Sequence, residues 1–496
     1  MRPLLALAFL GGIVGCARGE PPKPFGALLG RPRIAVPAKS RWNAGDRARV
    51  VRTLQRAFAG EAWRNAGIVI LAADGSPLFE RRGRVPMTPA STMKLVVAAT
   101  ALATFGTKHR FETSFSALAP PRDGVLNGPL WLVGGGDPLF ASSDLRAGVG
   151  TLARAGVREV RGDLIVDASM FPGREQNAHW DPSDLDYDYA AGTSAISLDW
   201  DVAAFVVTPG FPGAPARVRL DPPNADVGFE GTILTSPPGY GSDVHIDRLP
   251  VGSLGALPTR NAFAIGGHIQ SGIEQKFFQP IAGVPYYVGD TTAAMLQERG
   301  IALDGAVRVG VAPLAARRLW LHRSAHVDAL LREMLVNSDN HTAEQLLRLV
   351  GFQKGFGGTD AGGLQAERAF FAQHAIDASG WRAFDGSGLA PSDRIAPLAL
   401  AQILLVATAG SEGASFLRAL PLAGLEGTVR YHRLDAALGR VRAKSGHIDG
   451  VNALAGLVST RRHGRLAFAF VVNGPQANAG DITQRTDAAL DALAEF

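Results

Sequence analysis

The stretch TPASTMKLVVAATAL, residues 88–102, places a single lysine at the start of an otherwise apolar segment. Pro89 suits the first turn of a helix, so the pattern predicts a buried helix with Lys94 near its N-terminus. Burying an unpaired ammonium is costly. Lysine is also rare in this chain, with only seven among its 50 Lys and Arg residues. Lys94 therefore requires a specific role.

Ser91 lies three residues before Lys94, so both side chains project from one face of the first helical turn. Unpaired backbone N–H groups at this helix end favour a developing anion. A serine hydroxyl becomes a good nucleophile when a base takes its proton, and a lysine does so only when neutral. Burial and a nearby second cation both lower a lysine pKa, whereas arginine effectively never deprotonates. The pair predicts a serine nucleophile with a lysine base.

The composition indicates a large globular protein. A length of 496 residues predicts two or three domains, and 46% of the residues are apolar. The net charge of +5 is small for this length, and no nucleic-acid-binding motif accompanies it, so we predict no nucleic-acid partner. The histidines show no zinc-ligand spacing, so we predict no metal and no cofactor.

The N-terminus resembles a bacterial export signal. Arg2 precedes an apolar run from Leu4 to Val14, which is too short to span a bilayer. Cys16, the single cysteine, follows a small residue as in a lipobox, so residues 1–16 predict a signal peptide and lipidation of Cys16. An ordinary secretory signal with an incidental cysteine is the alternative. Residues 17–44, rich in Pro and Gly, predict a tether.

Hydrophobic periodicity predicts a discontinuous α/β (α+β) domain. Residues 47–59 predict a helix and residues 66–71 a buried strand that turns back at Asp74. Near the other end, three strands and a closing helix are predicted at 441–444, 452–459, 466–473 and 482–496. We therefore assign residues 45–108 and 290–496 to one domain with a central antiparallel sheet flanked by helices. Residues 109–289 predict mostly β inserted domains.

Two further motifs follow the Ser-x-x-Lys motif in a fixed order. Residues 331–347 read LREMLVNSDNHTAEQLL, in which Ser338 and Asn340 interrupt a helical pattern. Residues 441–446 read VRAKSG and place Lys444 at the end of a predicted strand. Taken alone, Ser-Asp-Asn would more often be a loop or a helix cap, and Lys-Ser-Gly a turn. The order Ser-x-x-Lys, Ser-x-Asn, Lys-Ser/Thr-Gly is that of penicillin-binding proteins and serine β-lactamases.

The chain resembles the D-alanyl-D-alanine carboxypeptidases/endopeptidases of the low-molecular-mass class C penicillin-binding proteins, peptidase family S13. Similar passages include VRGDLIVDASMF at 160–171, YAAGTSAISLDW at 189–200, FDGSGLAP at 384–391 and LPLAGLEGTVR at 420–430. The resemblance implies a transpeptidase domain of the serine β-lactamase/DD-peptidase type, with domains inserted between the first two motifs. Peptidoglycan peptides and β-lactams are the implied ligands, and the periplasm is the implied location.

The resemblance also implies residue roles. Ser91 would attack the penultimate D-alanine with Lys94 as base, and Ser338 would relay a proton to the leaving amine. Asn340 would hold Lys94 and the substrate amide. Lys444 would lower the pKa of Lys94 and, together with Ser445, attract the terminal carboxylate. The oxyanion would lie between the N–H groups of Ser91 and His447, next to Gly446, and Asp184 would bind the amino group of the diamino acid.

The sequence departs from the family pattern at two positions of the site. His447 stands where the family usually has threonine, and it adds bulk and a titratable group. Pro391 replaces an arginine thought to recognise the diamino acid, and Arg394 is a candidate substitute. Asp181, Asp186 and Asp188 compete with Asp184 for its role.

Two other functions stay open at this point. One is a β-lactamase or esterase of the same fold, which needs rapid deacylation, usually by a dedicated glutamate. The other is a catalytically vestigial peptidoglycan-binding lipoprotein, which the intact motifs disfavour. Membrane contact is expected through the lipid anchor only.

Overall fold

The computed structural model describes residues 42–60, 63–250, 252–253, 260–474 and 479–496. The predicted signal peptide, Cys16 and the tether up to residue 41 lie outside the described residues. Within the described ranges, no helix combines the length and the apolar character needed to cross a bilayer.

The secondary structure follows the chain in three parts. The first part forms α1 (Ala44–Ala57), β1 (Gly67–Ala72), β2 (Pro77–Arg81) and α2 (Lys94–Phe105). The middle forms β3 (Glu112–Ala117), β4 (Val125–Asn127), β5 (Leu130–Val133), α3 (Ser142–Arg154), β6 (Glu159–Arg161), β7 (Leu164–Asp167), β8 (Val202–Thr208), β9 (Arg217–Leu220), β10 (Val227–Gly231), β11 (Leu234–Ser236), β12 (His245–Leu249), β13 (Asn261–Gly266), β14 (His268–Gln270), β15 (Gln275–Pro280), α4 (Val284–Glu298), β16 (Ala302–Leu303), β17 (Val307–Val309) and β18 (Arg317–Arg323). The last part forms α5 (Val327–Asn337), α6 (Asn340–Gln353), α7 (Asp360–Gln373), α8 (Pro397–Ala409), α9 (Gly413–Ala419), β19 (Val441–Ile448), β20 (Val451–Ser459), β21 (Arg465–Asn473) and α10 (Ala479–Ala494).

The central sheet is antiparallel and joins strands from both ends of the chain. Its strand order is β19-β20-β21-β1-β2, so β1 pairs with β21 across nearly 400 residues of sequence. Every residue of β1 is buried because both faces of the sheet are covered. Ile68 and Ile70 pack in the core that includes α1 and α10, whereas Val69 and Leu71 pack in the core that includes α2 and α8. This alternation is the period of two expected for a strand.

Helix α2 is the predicted helix, and it lies inside the domain. All residues from Lys94 to Leu102 are buried, as expected for a helix that is apolar on every side. The predicted helix start at Pro89 is replaced by a 3₁₀ turn over Ala90–Met93, and α-helical geometry begins at Lys94. The tighter turn brings the serine onto the face of Lys94.

The middle of the chain is mostly β, as the sequence predicts. It contains a five-stranded sheet in the order β17-β7-β5-β3-β18 and four smaller sheets. The proposed domain boundary at 289–290 falls inside α4, and β18 pairs antiparallel with β3.

Candidate active site

Ser91 lies in the 3₁₀ turn that precedes α2. The residue before it, Ala90, has a φ of 46°, which is a strained conformation for a residue with a side chain. The loop at Gly388 presses on this turn, because a Cβ on Gly388 would lie 2.0 Å from the Ala90 carbonyl oxygen. The strained turn and the close approach together fix the position of the Ser91 hydroxyl.

Lys94 is fully buried and makes three hydrogen bonds. Its Nζ donates to Ser91 Oγ at 2.9 Å, to Asn340 Oδ1 at 2.7 Å and to the Ser387 carbonyl oxygen at 2.9 Å. Three acceptors match the three donors of an ammonium. The structure thus brings the Ser-x-x-Lys and Ser-x-Asn motifs into direct contact.

The surroundings of Lys94 lower its pKa to about 8. Burial is the main cause, because it penalises the charged form. The negative charges of Asp385, Glu344 and Asp339 oppose it. Near pH 8 the amine is therefore neutral for about half of the time, and a neutral amine can accept the proton of Ser91.

Lys444 on β19 is also fully buried, and its Nζ donates to the Ser445 carbonyl oxygen at 2.6 Å. Burial, followed by the charge of Lys94, holds the pKa of Lys444 well below its usual range. The resemblance implied that Lys444 lowers the pKa of Lys94. Burial is the leading cause of the lowered pKa of each lysine, and the positive charges of the two lysines repel one another.

Ser338 and Asn340 lie where α5 ends and α6 begins. Ser338 has a φ of 60°, which breaks the helix and turns the chain towards the cleft. Asp339 caps α6 by accepting hydrogen bonds from the N–H groups of His341 and Thr342. Asn340 contacts Lys94 through its carbonyl oxygen, and its Nδ2 donates to the Tyr189 carbonyl oxygen at 2.9 Å.

Strand β19 lies directly against the 3₁₀ turn that contains Ser91. A Cβ on Gly446 would lie 2.9 Å from the Ser91 amide nitrogen and 2.7 Å from the Pro89 carbonyl oxygen, so this approach requires glycine. Ser445 Oγ lies 2.8 Å from Thr428 Oγ1, and the exposed His447 lines the cleft. The strand thus places polar groups along one side of Ser91.

We expect Gly446→Ala to slow acylation of Ser91 by about 100-fold, because the added methyl must push β19 away from the Ser91 amide. The measurement is the rate of covalent labelling by a fluorescent penicillin, with thermal unfolding followed in parallel. Gly410→Ala is the matched control, since no atom of the described residues outside its chain neighbours lies within 4 Å of the added methyl at that position. Equal labelling rates for the two variants would contradict the claim that acylation requires the close contact between β19 and the Ser91 turn.

The cleft beside Ser91 has a volume of about 620 Å³, and Ser338, Asn340 and His447 also line it. Asp184 lines the same cleft, and its Oδ1 accepts a hydrogen bond from the Tyr189 hydroxyl at 2.8 Å.

The structure narrows the choice among the acidic residues near Asp184. Asp181 shares the cleft with Asp184, whereas Asp188 lines a neighbouring cavity. Asp186 lies 3.8 Å from Arg248. Asp181 and Asp184 are therefore the two carboxylates of this loop that face the same cleft as Ser91.

Pro391 lines the cleft where the family pattern has arginine. Arg394 does not take its place, because its Nη1 donates to Thr88 Oγ1 and to the carbonyl oxygens of Pro391 and Asp393. Among the described residues, those that line the cleft include no lysine or arginine, whereas Asp181, Asp184 and Asp449 are acidic. This side of the cleft therefore suits a cationic group.

Sequence reasoning missed the loop that supplies the third oxygen to Lys94. Sequence analysis singles out Pro391 within the passage FDGSGLAP, but it does not assign Asp385 or Ser387 to the site. Its Asp385 is fully buried, and Glu344 accepts hydrogen bonds from the N–H groups of Gly386 and Ser387. Burial raises the pKa of Glu344 to about 8. Glu344 stands four residues after Asn340, on the same face of α6, which is the signal that could have linked it to the site.

A buried helix that begins with a lysine hydrogen-bonded to a serine, set against an antiparallel sheet, is the arrangement of the class that comprises serine DD-peptidases and serine β-lactamases. A D-alanyl-D-alanine carboxypeptidase from Actinomadura sp. is 32% identical over 87% of this chain and 81% of its own length. Penicillin-binding protein 4 from Haemophilus influenzae superposes with a TM-score of 0.76 at 21% identity, covering 90% of this chain and 99% of that protein. The same Haemophilus protein in complex with a β-lactam gives a TM-score of 0.71 with the same identity and coverage.

The model of the D-Ala-D-Ala carboxypeptidase 3 (S13) family matches residues 52–495. The chain therefore belongs to this family, and it is a serine-type D-Ala-D-Ala carboxypeptidase. The predicted family, fold class and enzyme class are confirmed.

Proposed function

We propose that this carboxypeptidase cleaves peptidoglycan stem peptides through an acyl-enzyme on Ser91. The observation that carries the proposal is the buried Lys94 amine 2.9 Å from Ser91 Oγ, with a pKa lowered to about 8. Ser91 Oγ attacks the carbonyl carbon of the penultimate D-alanine while Lys94 takes its proton. The peptide C–N bond then breaks, the leaving amine receives a proton through Ser338, and water hydrolyses the ester.

The remaining polar groups fit binding roles in this reaction. The N–H groups of Ser91 and His447 would stabilise the oxyanion, which the close approach of β19 supports. Ser445 and Thr428 offer hydroxyl groups to the terminal carboxylate, and Lys444 adds positive potential. Asp184 would bind the amino group of the diamino acid, with Asp181 beside it in the cleft.

A β-lactamase or esterase of the same fold is the competing activity. Rapid deacylation needs a carboxylate that activates water in the cleft. Glu344 is buried beside the loop whose Ser387 carbonyl contacts Lys94. It accepts hydrogen bonds from the N–H groups of Gly386 and Ser387. It is not among the cleft-lining residues, so it is not placed to activate water beside Ser91. The β-lactam complex of the Haemophilus relative also supports this ligand class.

The test combines product analysis with the lifetime of the penicillin adduct. A pentapeptide ending in D-Ala-D-Ala should release D-alanine, and a cross-linked muropeptide dimer should report endopeptidase cleavage. A penicillin adduct that lasts for hours is expected. Rapid penicillin turnover without peptide cleavage would instead support a β-lactamase. If the protein neither turns over penicillin nor forms an adduct with it, the result would support the vestigial peptidoglycan-binding protein.

We further infer a periplasmic location with a lipid anchor on Cys16. The lipobox-like position of Cys16 and the cell-wall substrate support this inference. Incorporation of a labelled fatty acid that disappears in Cys16→Ser tests it. An unlabelled but exported chain would support the ordinary secretory signal.

The acylation rate should rise with pH as the Lys94 amine loses its proton. Because the pKa of Lys94 is lowered to about 8, the neutral fraction falls about tenfold for each pH unit below that value. We expect the second-order rate of penicillin acylation to increase from pH 6 to about 8 and then to level off. Stopped-flow acylation between pH 6 and 10 measures this. A rate that stays constant from pH 6 to 9 would contradict a lysine base.

A further inference from the structure

Two of the three oxygens around Lys94 are held by contacts that reach into the inserted segment. The Asn340 side chain donates through Nδ2 to the carbonyl oxygen of Tyr189. The Ser387 carbonyl belongs to the loop 385–390, and Asp385 in this loop accepts a hydrogen bond from Trp180 Nε1 at 2.8 Å. Tyr189 and Trp180 both belong to the inserted segment. The inserted segment thus contacts both groups that orient the lysine.

The buried carboxylate of Asp385 accepts several hydrogen bonds, and the carboxyl group of Asp393 lies beside it. Asp385 accepts hydrogen bonds from the N–H groups of Gly388 and Ala390, each at 2.7 Å, as well as from Trp180. The Ser387 hydroxyl adds a longer contact of 3.3 Å. Charge-assisted bonds of this kind are stronger than neutral ones and fix the geometry of the groups that donate them.

The hydrogen bond from Gly388 determines the direction of the Ser387 carbonyl. The Gly388 N–H and the Ser387 C=O belong to one planar trans peptide, so they point in opposite directions. With the N–H held by Asp385, the C=O points to Lys94 Nζ, 2.9 Å away. Glu344 holds the preceding peptides through the N–H groups of Gly386 and Ser387, at 3.1 Å and 2.8 Å.

We propose that Asp385, Glu344 and Trp180 are positioning residues for Lys94, and that the inserted segment thereby sets the protonation of the base. None of the three lines the cleft or touches Ser91, so they act through the Ser387 carbonyl. The carboxylates of Asp385 and Asp339 and the ionised form of Glu344 favour the ammonium form of Lys94. Lys444 repels that ammonium when it is itself charged. Loosening Asp385 weakens the contact of the Ser387 carbonyl with the ammonium, and replacing Asp385 by Asn also removes a favourable charge.

The test is the pH dependence of penicillin acylation in the full chain with Trp180→Phe. This variant keeps an aromatic ring but loses the Nε1–H donor to Asp385. We expect the acylation rate at high pH to fall about tenfold. We also expect the rising limb of the pH–rate profile, the range in which the rate increases with pH, to move to lower pH. Trp381→Phe is the matched control: Trp381 is 5% exposed, as Trp180 is, and its Nε1 has no hydrogen-bond partner among the described residues.

Asp385→Asn is the second variant. It should move the rise in acylation rate to lower pH by about one pH unit or more, because it removes the negative charge that favours the Lys94 ammonium. The proposal is overturned if Trp180→Phe matches Trp381→Phe, or if both site variants slow acylation while the limb stays at its wild-type pH. The second result would show a purely structural role. The inference rests on the proposed function, which fails separately if the wild-type protein shows no adduct or no rising limb.

Discussion

Ser91→Ala should abolish covalent labelling by penicillin and lower D-alanine release by about 10⁴-fold to 10⁶-fold. The expected loss is this large because the hydroxyl forms the bond that the whole reaction requires, so no neighbouring group compensates for it. The measurement is the intact mass of the protein after incubation with excess penicillin. The wild-type protein should gain the mass of one drug molecule, and the variant should gain none.

A matched control separates this effect from damage to the fold. Ser415 is half-buried like Ser91, and its hydroxyl accepts a hydrogen bond from Arg418 on α9. Ser415→Ala should keep full labelling. If Ser91→Ala still gained one drug molecule at the wild-type rate, the nucleophile would be a different residue and the proposed roles around Lys94 would have to be reassigned.

Local patterns predicted the central elements because their residues alternate or repeat with a clear period. The buried strand at 66–71 and the three C-terminal strands agree with β1, β19, β20 and β21 to within a few residues. The helix break at Ser338 was visible because Ser-Asp-Asn interrupts an apolar pattern of period 3.6. These features depend on neighbouring residues, which a sequence shows directly.

The pairing of β18 with β3 was not visible for the opposite reason. Strand β18 is rich in arginine, and its place is set by pairing with β3, about 200 residues earlier. Such pairing leaves no local signal, because the strand's own residues do not identify their partner. The predicted boundary at 289–290 therefore fell within α4.

The site was predicted where the chemistry depends on side chains and missed where it depends on the backbone. The sequence motifs single out Ser91, Lys94 and Asn340 by their side chains, and the structure brings all three together. The Ser387 carbonyl is a backbone group that any residue could supply, so its identity carries no signal. Asp385 is similar, since an Asp-Gly-Ser-Gly run reads as an ordinary turn until its burial is known.

Lys94→Arg should lower acylation by about 10³-fold or more, even though it keeps the positive charge. A guanidinium can still donate to Asn340 and to the Ser387 carbonyl, so the site should stay assembled. It effectively never deprotonates, however, and therefore cannot accept the Ser91 proton. The expected signature is a protein that folds normally and reacts with penicillin too slowly to label within minutes.

Two further variants, Lys94→Met and Lys108→Arg, test whether Lys94 acts as the base. Lys94→Met removes both charge and lone pair and should be as inactive as Lys94→Arg, which would show that charge alone contributes little. Lys108 is exposed, so Lys108→Arg should react at the wild-type rate. If Lys94→Arg instead retained fast acylation with the same rise towards pH 8, the titrating base would lie elsewhere. Lys444, the other fully buried lysine with a lowered pKa, would then be the group to replace next.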